Sequence, residues 1–200
     1  MLRAKIAVLV SGGGTNLQAL IDAQGTVLKS GEIAAVISNN PGAFALKRAE
    51  NAGIKTYVVK SGVPDFEDRL SQIIEENGID LIILAGFMSI LSADFTKKYP
   101  ERIINVHPSL IPSFCGKGFY GLRVHEEALR YGVKVTGATV HFVNEIPDGG
   151  RIIAQKAVNI RPSDTPETLQ RRVMEQAEWK LLPRAAETVS KSIVRSWKNG

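Results

Sequence analysis

An amide and an imidazole stand two residues apart in the segment Asn105-Val106-His107-Pro108. Alternation along the strand predicted here places Asn105 and His107 on one side. An amide donates a hydrogen bond to a developing oxyanion, and an imidazole exchanges a proton near neutral pH. The pair therefore indicates reaction at a carbonyl carbon, or else a histidine that only satisfies its own turn.

A later strand and its turn add further polar groups. Thr139 and His141 share one strand face, and Asp148 follows in the turn. A carboxylate near His107 is expected to stabilise the imidazolium or raise the pKa of the pair, and to accept a proton from an attacking amine through water. Asp before Gly is also common in hairpin turns. We predict supporting roles for Thr139 and His141.

A glycine-rich turn, Ser11-Gly12-Gly13-Gly14-Thr15-Asn16, separates the first predicted strand from an amphipathic helix. Glycines allow amide N–H groups to approach an anion, and the helix N-terminus adds a partial positive charge. Leu17 replaces the third glycine of GxGxxG, and a Gly-Lys-Ser/Thr sequence is absent, which disfavours NAD and ATP. The turn predicts a site for a phosphate monoester, or it is a plain tight turn.

Two other side chains bear on the chemistry. Glu178 lies beside an apolar helical stripe, where a carboxylate needs a partner: a ligand amine or hydroxyl, or a surface salt bridge. Cys115 has no adjacent base, so covalent catalysis is disfavoured. Three scattered histidines make a poor metal site. The remaining interpretation is direct transfer of a group to the acceptor, without a covalent enzyme intermediate or a metal.

The composition is that of one soluble domain over residues 1–200. The chain has 200 residues, 44% hydrophobic and 22% charged, with one Cys, which excludes disulfide scaffolds and Cys₄ zinc sites. No apolar run approaches the roughly 18 residues of a membrane span, and the start does not resemble a signal peptide. We therefore expect an untargeted, cytoplasmic protein that does not bind membranes.

The net charge of +5 is spread without any block of like charges, and aromatic residues make up 6%. This disfavours nucleic-acid binding. The excess of positive charge either lies on a solvated surface without a specific role or produces a mild positive field that favours small anionic substrates.

Short apolar runs alternate with helical patterns and predict a mostly parallel sheet covered by helices on both faces, an α/β fold. The predicted strands are 5–10, 33–38, 55–60, 79–85 and 102–107, and the predicted helices between them are 15–29, 43–52, 65–77 and 92–99. A long loop then leads to a helix at 122–131, an antiparallel hairpin of strands 135–143 and 151–160, and a last helix from about Asp164 to Leu182, interrupted at Pro183.

Four motifs resemble the folate-dependent glycinamide ribonucleotide formyltransferases over nearly the whole chain. They are Val10 to Ala19, Leu84-Ala85-Gly86-Phe87-Met88, Asn105 to Leu110, and His141-Phe142-Val143 followed by Asp148-Gly149-Gly150. The resemblance implies a Rossmann-like formyltransferase fold and transfer of the formyl group of 10-formyltetrahydrofolate to the amine of glycinamide ribonucleotide, in purine biosynthesis. It also implies a monomer or homodimer, with a phosphate-binding half of about 1–100 and a catalytic, folate-binding half of about 101–200.

The resemblance also implies a role for each matching residue. Asn105, protonated His107 and Asp148 would be catalytic, and Glu178 would bind the ribose hydroxyls. The substrate phosphate would lie on Gly14, Thr15 and Asn16. The folate pocket would be lined by Met88, Ser89, Ile90, Leu91, Asn105, Asn144, Glu145, Ile146, Pro147 and Asp148.

Several positions depart from the family pattern. Ser89 and Val63 stand where basic residues are expected for the glutamate tail of the folate, and Arg151 replaces a usual Pro. The loop Ser113 to Gly121 is longer than the common version, which suggests a reshaped substrate loop with Lys117 or Arg123 as a candidate to reach an anion. The alternatives are formyltetrahydrofolate hydrolase, methionyl-tRNA formyltransferase, which needs an additional RNA-binding domain, and a non-catalytic folate- or nucleotide-binding module.

Overall fold

The computed structural model describes residues 2–199, so Met1 and Gly200, the ends of the predicted domain, lie outside the described residues. Within residues 2–199 there are seven strands and seven α-helices, which alternate from β1 to β6. The strands are β1 Ala4–Val10, β2 Gly31–Ser38, β3 Lys55–Val58, β4 Leu81–Leu84, β5 Ile103–His107, β6 Val135–Phe142 and β7 Ile152–Asn159. The helices are α1 Thr15–Ala23, α2 Phe44–Asn51, α3 Phe66–Glu76, α4 Ala93–Lys98, α5 Leu122–Tyr131, α6 Pro166–Val173 and α7 Trp179–Asn199.

The strands form one sheet in the order β3-β2-β1-β4-β5-β6-β7. Strands β1 to β5 are parallel, and β6 and β7 continue the sheet antiparallel. This confirms the predicted α/β class with a C-terminal hairpin. The carboxyl ends of β1, β4 and β5 meet at one edge, where open α/β sheets bind ligands.

Helices cover both faces of the sheet, and alternate residues of β1 show this directly. Ile6, Val8 and Val10 belong to one apolar core, and Ala7 and Leu9 belong to the other. All five are fully buried. A strand buried on both sides must be apolar throughout, which is why its sequence shows no polar alternation.

Helix α1 is shorter than predicted, because it ends at Ala23 and not at residue 29. Gly25 adopts a left-handed conformation at φ 78°. The backbone N–H groups of Val27 and Leu28 both donate to the carbonyl of Ala23, which closes a tight turn. The apolar spacing beyond Ala23 therefore reflects packing of Leu28 in the core, not helix.

The predicted interruption at Pro183 is wrong, since α7 continues through this residue. The irregularity lies earlier, in a π-helical turn at Met174–Glu178 between α6 and α7. Leu182, Ala185 and Ala186 are buried in the core on either side of the proline. Their packing outweighs the backbone hydrogen bond that the proline ring removes.

Within residues 2–199, the structure contains no helix that is both long enough and apolar enough to cross a membrane.

Candidate active site

A cavity of about 620 Å³ opens at the carboxyl ends of β4 and β5. Three segments form its wall: the backbone after β4 at 86–90, the end of β5 at 105–108, and the glycine-rich loop at 116–121. Pro147 and Asp148 close it from the turn between β6 and β7. The fold therefore brings the three predicted catalytic residues, Asn105, His107 and Asp148, into one cavity.

His107 is buried, and its two ring nitrogens have different partners. Nε2 lies 2.9 Å from the carbonyl oxygen of Phe114 and therefore carries the hydrogen in the neutral ring. Nδ1 faces Asp148, with its Oδ2 atom 3.5 Å away. Burial lowers the pKa of His107 more than Asp148 and the Phe114 carbonyl raise it. Asp148 therefore raises the pKa as expected, but burial outweighs it. The lowered pKa favours a neutral ring, with Nδ1 free to accept a proton, over the protonated His107 that the resemblance implies.

Asp148 joins both histidines and the long loop. Its Oδ2 accepts a hydrogen bond from the Gly116 backbone N–H at 2.8 Å, and its Oδ1 lies 3.5 Å from His141 Nε2. Burial opposes ionisation, but the contacts of Asp148 with His141, His107 and the Gly116 N–H outweigh it and hold the pKa of Asp148 below its usual range. The residue has φ 55°, an uncommon backbone conformation for a side-chain-bearing residue.

His141 orients Asn105. Its Nδ1 donates to the carbonyl of Phe142 at 2.8 Å, so Nε2 of the neutral ring accepts from Asn105 Nδ2 at 3.2 Å. One hydrogen of the Asn105 amide is thereby engaged, and the second remains for a group in the cavity. This geometry agrees with the supporting role predicted for His141.

Thr139 is fully buried on β6 and lies directly opposite His107 of β5 in the antiparallel pair. Its hydroxyl donates to the carbonyl of Ser109 at 2.7 Å and accepts from the backbone N–H of Ile111 at 3.1 Å. Thr139 thus fixes the chain where it leaves β5, immediately after His107.

The glycine turn forms a second cluster outside this cavity. Gly14 takes a left-handed conformation at φ 71° and begins α1 without a side-chain cap, which leaves N–H groups at the helix start available to a ligand. Asn16 Nδ2 donates to Glu178 Oε2 at 2.7 Å, and the Thr15 hydroxyl contacts the sulfur of Met174 at 3.8 Å. The π-helical turn is therefore packed against the predicted phosphate site.

Glu178 is buried, and no cation accompanies it among its hydrogen-bond and ion-pair partners within residues 2–199. Burial raises its pKa to about 7, and the hydrogen bond from Asn16 only partly opposes this. A surface salt bridge, the alternative interpretation, is thereby excluded for this residue. The other interpretation, a ligand amine or hydroxyl as partner of Glu178, stays a prediction.

One hydrogen bond connects the two clusters, and a second joins the chain after β2 to the main cavity. Ser11 Oγ, at the end of β1, accepts from the Met88 backbone N–H at 2.8 Å. Asn39 Nδ2 donates to Ser89 Oγ at 2.8 Å. Sequence reasoning did not assign Ser11 or Asn39 a role, because these contacts join segments that are distant in the sequence.

The predicted folate residues divide into three groups. Met88, Ser89 and Ile90 line the main cavity together with Asn105, Pro147 and Asp148. Leu91 is buried in the core and lines a neighbouring cavity of about 320 Å³ with Val63. The remaining three, Asn144, Glu145 and Ile146, precede the cavity wall, and Asn144 Oδ1 accepts from the Ile146 backbone N–H.

The long loop supplies contacts that the sequence did not reveal. Phe114, at φ 49°, presents its carbonyl to His107, and Gly116 donates to Asp148. Lys117 lines the cavity, and the guanidinium of Arg123 lies beside Gly118. The cluster of glycines in this loop is the sequence feature that could have indicated these contacts, since it marks a loop longer than a simple connection needs.

Arg151 and His125 do not line the main cavity. Arg151 pairs with Glu101 at 2.7 Å and lies over the Phe142 ring, so it belongs to the surface. His125 is fully buried, and burial lowers its pKa to about 4. In the part of the chain that the structure describes, no group of three His, Cys, Asp or Glu residues is arranged to hold a metal ion.

Comparisons with known proteins show the family to which the chain belongs. Residues 4–186 match the family described as "Formyl transferase". A phosphoribosylglycinamide formyltransferase of Haemophilus influenzae is 41% identical over 183 residues, 90% of this chain and 84% of the relative. The human trifunctional purine biosynthetic protein adenosine-3 is 44% identical over 99% of this chain, which spans 19% of that relative.

Solved structures show the same architecture. A phosphoribosylglycinamide formyltransferase from Anaplasma phagocytophilum superimposes with a TM-score of 0.86 at 41% identity, covering 94% of this chain and 87% of the other. A formyltetrahydrofolate deformylase from Pseudomonas syringae has a TM-score of 0.85 at 26% identity, covering 95% of this chain and 62% of the other. These matches confirm the resemblance carried by the four sequence motifs.

Proposed function

The chain belongs to the formyl transferase family, and from this membership we propose that it transfers the formyl group of 10-formyltetrahydrofolate to the amine of glycinamide ribonucleotide. The products are N-formylglycinamide ribonucleotide and tetrahydrofolate, an intermediate and a by-product of purine biosynthesis. One observation carries the proposal: the cavity that holds Asn105, His107 and Asp148 adjoins a glycine turn built for an anion. An amine acceptor with a phosphate at its other end fits both clusters.

The ribonucleotide is assigned to the second cluster. Its phosphate accepts from the backbone N–H groups of Gly14, Thr15 and Asn16 at the start of α1. Its ribose hydroxyls meet the carboxyl of Glu178, which Asn16 already orients. The amine then extends past Ser11 towards the cavity.

The reduced folate is assigned to the main cavity. Backbone groups and side chains of Met88, Ser89 and Ile90 form one wall, and Pro147 with Asp148 forms the other. Leu91 supports the first wall from the core, and Asn144, Glu145 and Ile146 support the second. The formyl group lies beside Asn105.

The chemistry begins when the amine nitrogen attacks the formyl carbon, so that the carbonyl oxygen becomes an oxyanion. The free hydrogen of the Asn105 amide donates to that oxyanion. The amine loses one proton, through water, to the pair formed by Asp148 and His107 Nδ1. Collapse breaks the bond from the formyl carbon to the folate nitrogen, and that nitrogen takes up the proton that the pair received from the amine.

The lowered pKa of His107 suits this sequence. Because the ring is neutral before reaction, its Nδ1 accepts the proton only when the amine releases it. The imidazolium then forms beside the oxyanion and next to the Asp148 carboxylate, which stabilises it. The positive charge of the imidazolium therefore develops next to the oxyanion, where it stabilises the transition state.

The deformylase superposition makes hydrolysis of the formyl group the second candidate, with water in place of the amine. The deciding experiment incubates the purified protein and 10-formyltetrahydrofolate with and without glycinamide ribonucleotide. Mass spectrometry follows N-formylglycinamide ribonucleotide and formate. Formylated ribonucleotide, formed only when the acceptor is present, supports the proposal. Formate at the same rate in both samples overturns it in favour of hydrolysis, and binding of both ligands without turnover leaves a non-catalytic module.

We further propose one domain acting as a monomer or homodimer in the cytoplasm, with its phosphate-binding half at about 1–100 and its catalytic half at about 101–200. Sedimentation at micromolar concentration distinguishes the two assembly states.

A further inference from the structure

The glycine turn lacks a cation of its own. Between Ser11 and Asn16 there is no Lys or Arg, although a phosphate dianion is to be held there. Backbone N–H groups bind an anion only when several of them point to the same side. Something must therefore orient the peptide planes of a segment whose glycines are intrinsically flexible.

The orientation comes from the segment that follows β2. Three successive carbonyls of the turn accept hydrogen bonds from it: Ser11 from Asn40 Nδ2 at 3.3 Å, Gly12 from the Ala45 backbone N–H at 3.0 Å, and Gly13 from Arg48 Nε at 2.8 Å. In a trans peptide the C=O and the following N–H point in opposite directions. The N–H groups of Gly12, Gly13 and Gly14 are therefore turned away from α2.

These three N–H groups find no hydrogen-bond partner within residues 2–199. Gly12 and Gly13 are exposed, and Gly14 has the left-handed conformation that completes an anion-binding concavity. The donors are thus left for a ligand, on the side of the turn opposite α2.

Arg48 is the one charged member of the three donors and is itself held rigidly. Its Nη1 donates to Gln18 Oε1 at 3.0 Å, on α1. Its guanidinium carbon lies 5.0 Å from the centre of the Phe44 ring, a cation–π distance. The side chain therefore bridges α2, the glycine turn and α1 in one geometry.

We propose that Arg48 is a positioning residue for the substrate phosphate. Its Nε–H holds the Gly13 carbonyl on the α2 side and so keeps the Gly14 N–H directed at the phosphate, while its charge compensates the dianion. The inference rests on the proposed function for the identity of the phosphorylated substrate, but the anion-binding geometry itself is independent of that function.

The test compares Arg48→Gln and Arg48→Lys with Lys47→Gln. Lys47 lies on the same helix, its one ion pair within residues 2–199 is with Glu50 at the surface, and its substitution changes the net charge equally. We expect Arg48→Gln to raise KM for glycinamide ribonucleotide about 10- to 100-fold, as expected when one charge-assisted hydrogen bond is lost. kcat and KM for the folate should stay within twofold. Lysine lacks the planar Nε donor and is expected to restore less than half of the loss on a logarithmic scale.

Two further readouts separate positioning from general damage. With the phosphate-free acceptor glycinamide riboside, Arg48→Gln should match wild type in kcat/KM. With inorganic phosphate as the probe, the dissociation constant should rise by a factor similar to the KM change. An equal loss with both acceptors, or a KM no different from that of Lys47→Gln, overturns the inference.

The phosphate titration also separates this inference from the proposed function. If wild type formylates no ribonucleotide but binds phosphate more tightly than Arg48→Gln, the proposed function fails and the role of Arg48 stands. If wild type turns over and phosphate binding is unchanged in the variant, only the role of Arg48 fails.

Discussion

Asp148 Oδ2 lies 3.5 Å from His107 Nδ1, and the other oxygen of the same carboxylate lies 3.5 Å from His141 Nε2. One carboxylate thus serves two imidazoles on neighbouring antiparallel strands. The Gly116 N–H gives it a third partner and ties it to the long loop. These contacts keep Asp148 ionised, which is what a proton acceptor requires.

Replacing Asp148 with Asn keeps the shape and the acceptor for Gly116 but removes the charge. We expect kcat to fall at least about 100-fold with KM changed less than about threefold, because proton transfer occurs only in the transition state. Steady-state kinetics measure this, with Asp68→Asn on the exposed face of α3 as the control. Equal activity in Asp148→Asn and wild type would remove Asp148 from the mechanism.

Asn105→Ala tests stabilisation of the oxyanion. Loss of one donor to a developing oxyanion is expected to lower kcat about 100- to 1,000-fold. His141 then loses its partner at 3.2 Å, so a circular dichroism spectrum and a melting curve must accompany the kinetics. Asn51→Ala, at the exposed end of α2, is the control. A decrease in kcat below fivefold would contradict the assignment.

Glu178 makes stability depend on pH. Its folded-state pKa of about 7 lies above the ordinary value of 4.5, so the folded protein binds the proton more tightly than the unfolded chain. The stabilisation is complete below pH 4.5 and is lost as the pH rises to about 7. Glu178→Gln removes this loss.

We therefore expect Glu178→Gln to gain up to about 3 kcal/mol relative to wild type between pH 4.5 and pH 8. Urea unfolding at both pH values measures it. Glu175→Gln, exposed on the same π-helical turn, controls for removal of a carboxylate. A constant difference between wild type and Glu178→Gln at the two pH values would show that the pKa of Glu178 is not raised in the folded state.

Gly14 and Gly25 form a matched pair for testing the glycine turn. Both have left-handed backbones, at φ 71° and 78°. A Cβ at Gly14 would lie 2.6 Å from the Cβ of Ala45 and 2.8 Å from its Cα, whereas a Cβ at Gly25 would meet nothing within 4 Å. Only the first substitution displaces the turn from α2.

Gly25→Ala is expected to cost about 1 kcal/mol of unfolding free energy and to leave KM unchanged. Gly14→Ala should cost more and raise KM for the ribonucleotide at least about tenfold. Thermal unfolding and kinetics on both variants check this. Equal KM values would mean that the turn does not contact the substrate.

Much of the fold followed from local patterns. The predicted strands of the parallel sheet correspond to β1 to β5, and the 122–131 helix was predicted to the residue. These elements are specified by the spacing of apolar residues, which is a local property. The same holds for Asn105 and His107, since alternation along one strand suffices to place them together.

Tertiary structure decided the rest. The sequence alone predicts Asp148 as a candidate site residue. Its position beside two histidines depends on the pairing of β5, β6 and β7. The raised pKa of Glu178 arises from burial against α1, and the continuation of α7 through Pro183 arises from packing on the sheet. No sequence motif marks Arg48, because its contact with Gly13 joins two βα units that are separate in the sequence. Local spacing encodes which face a residue occupies, whereas charge, protonation and hydrogen-bond partners depend on neighbours that only the folded chain supplies.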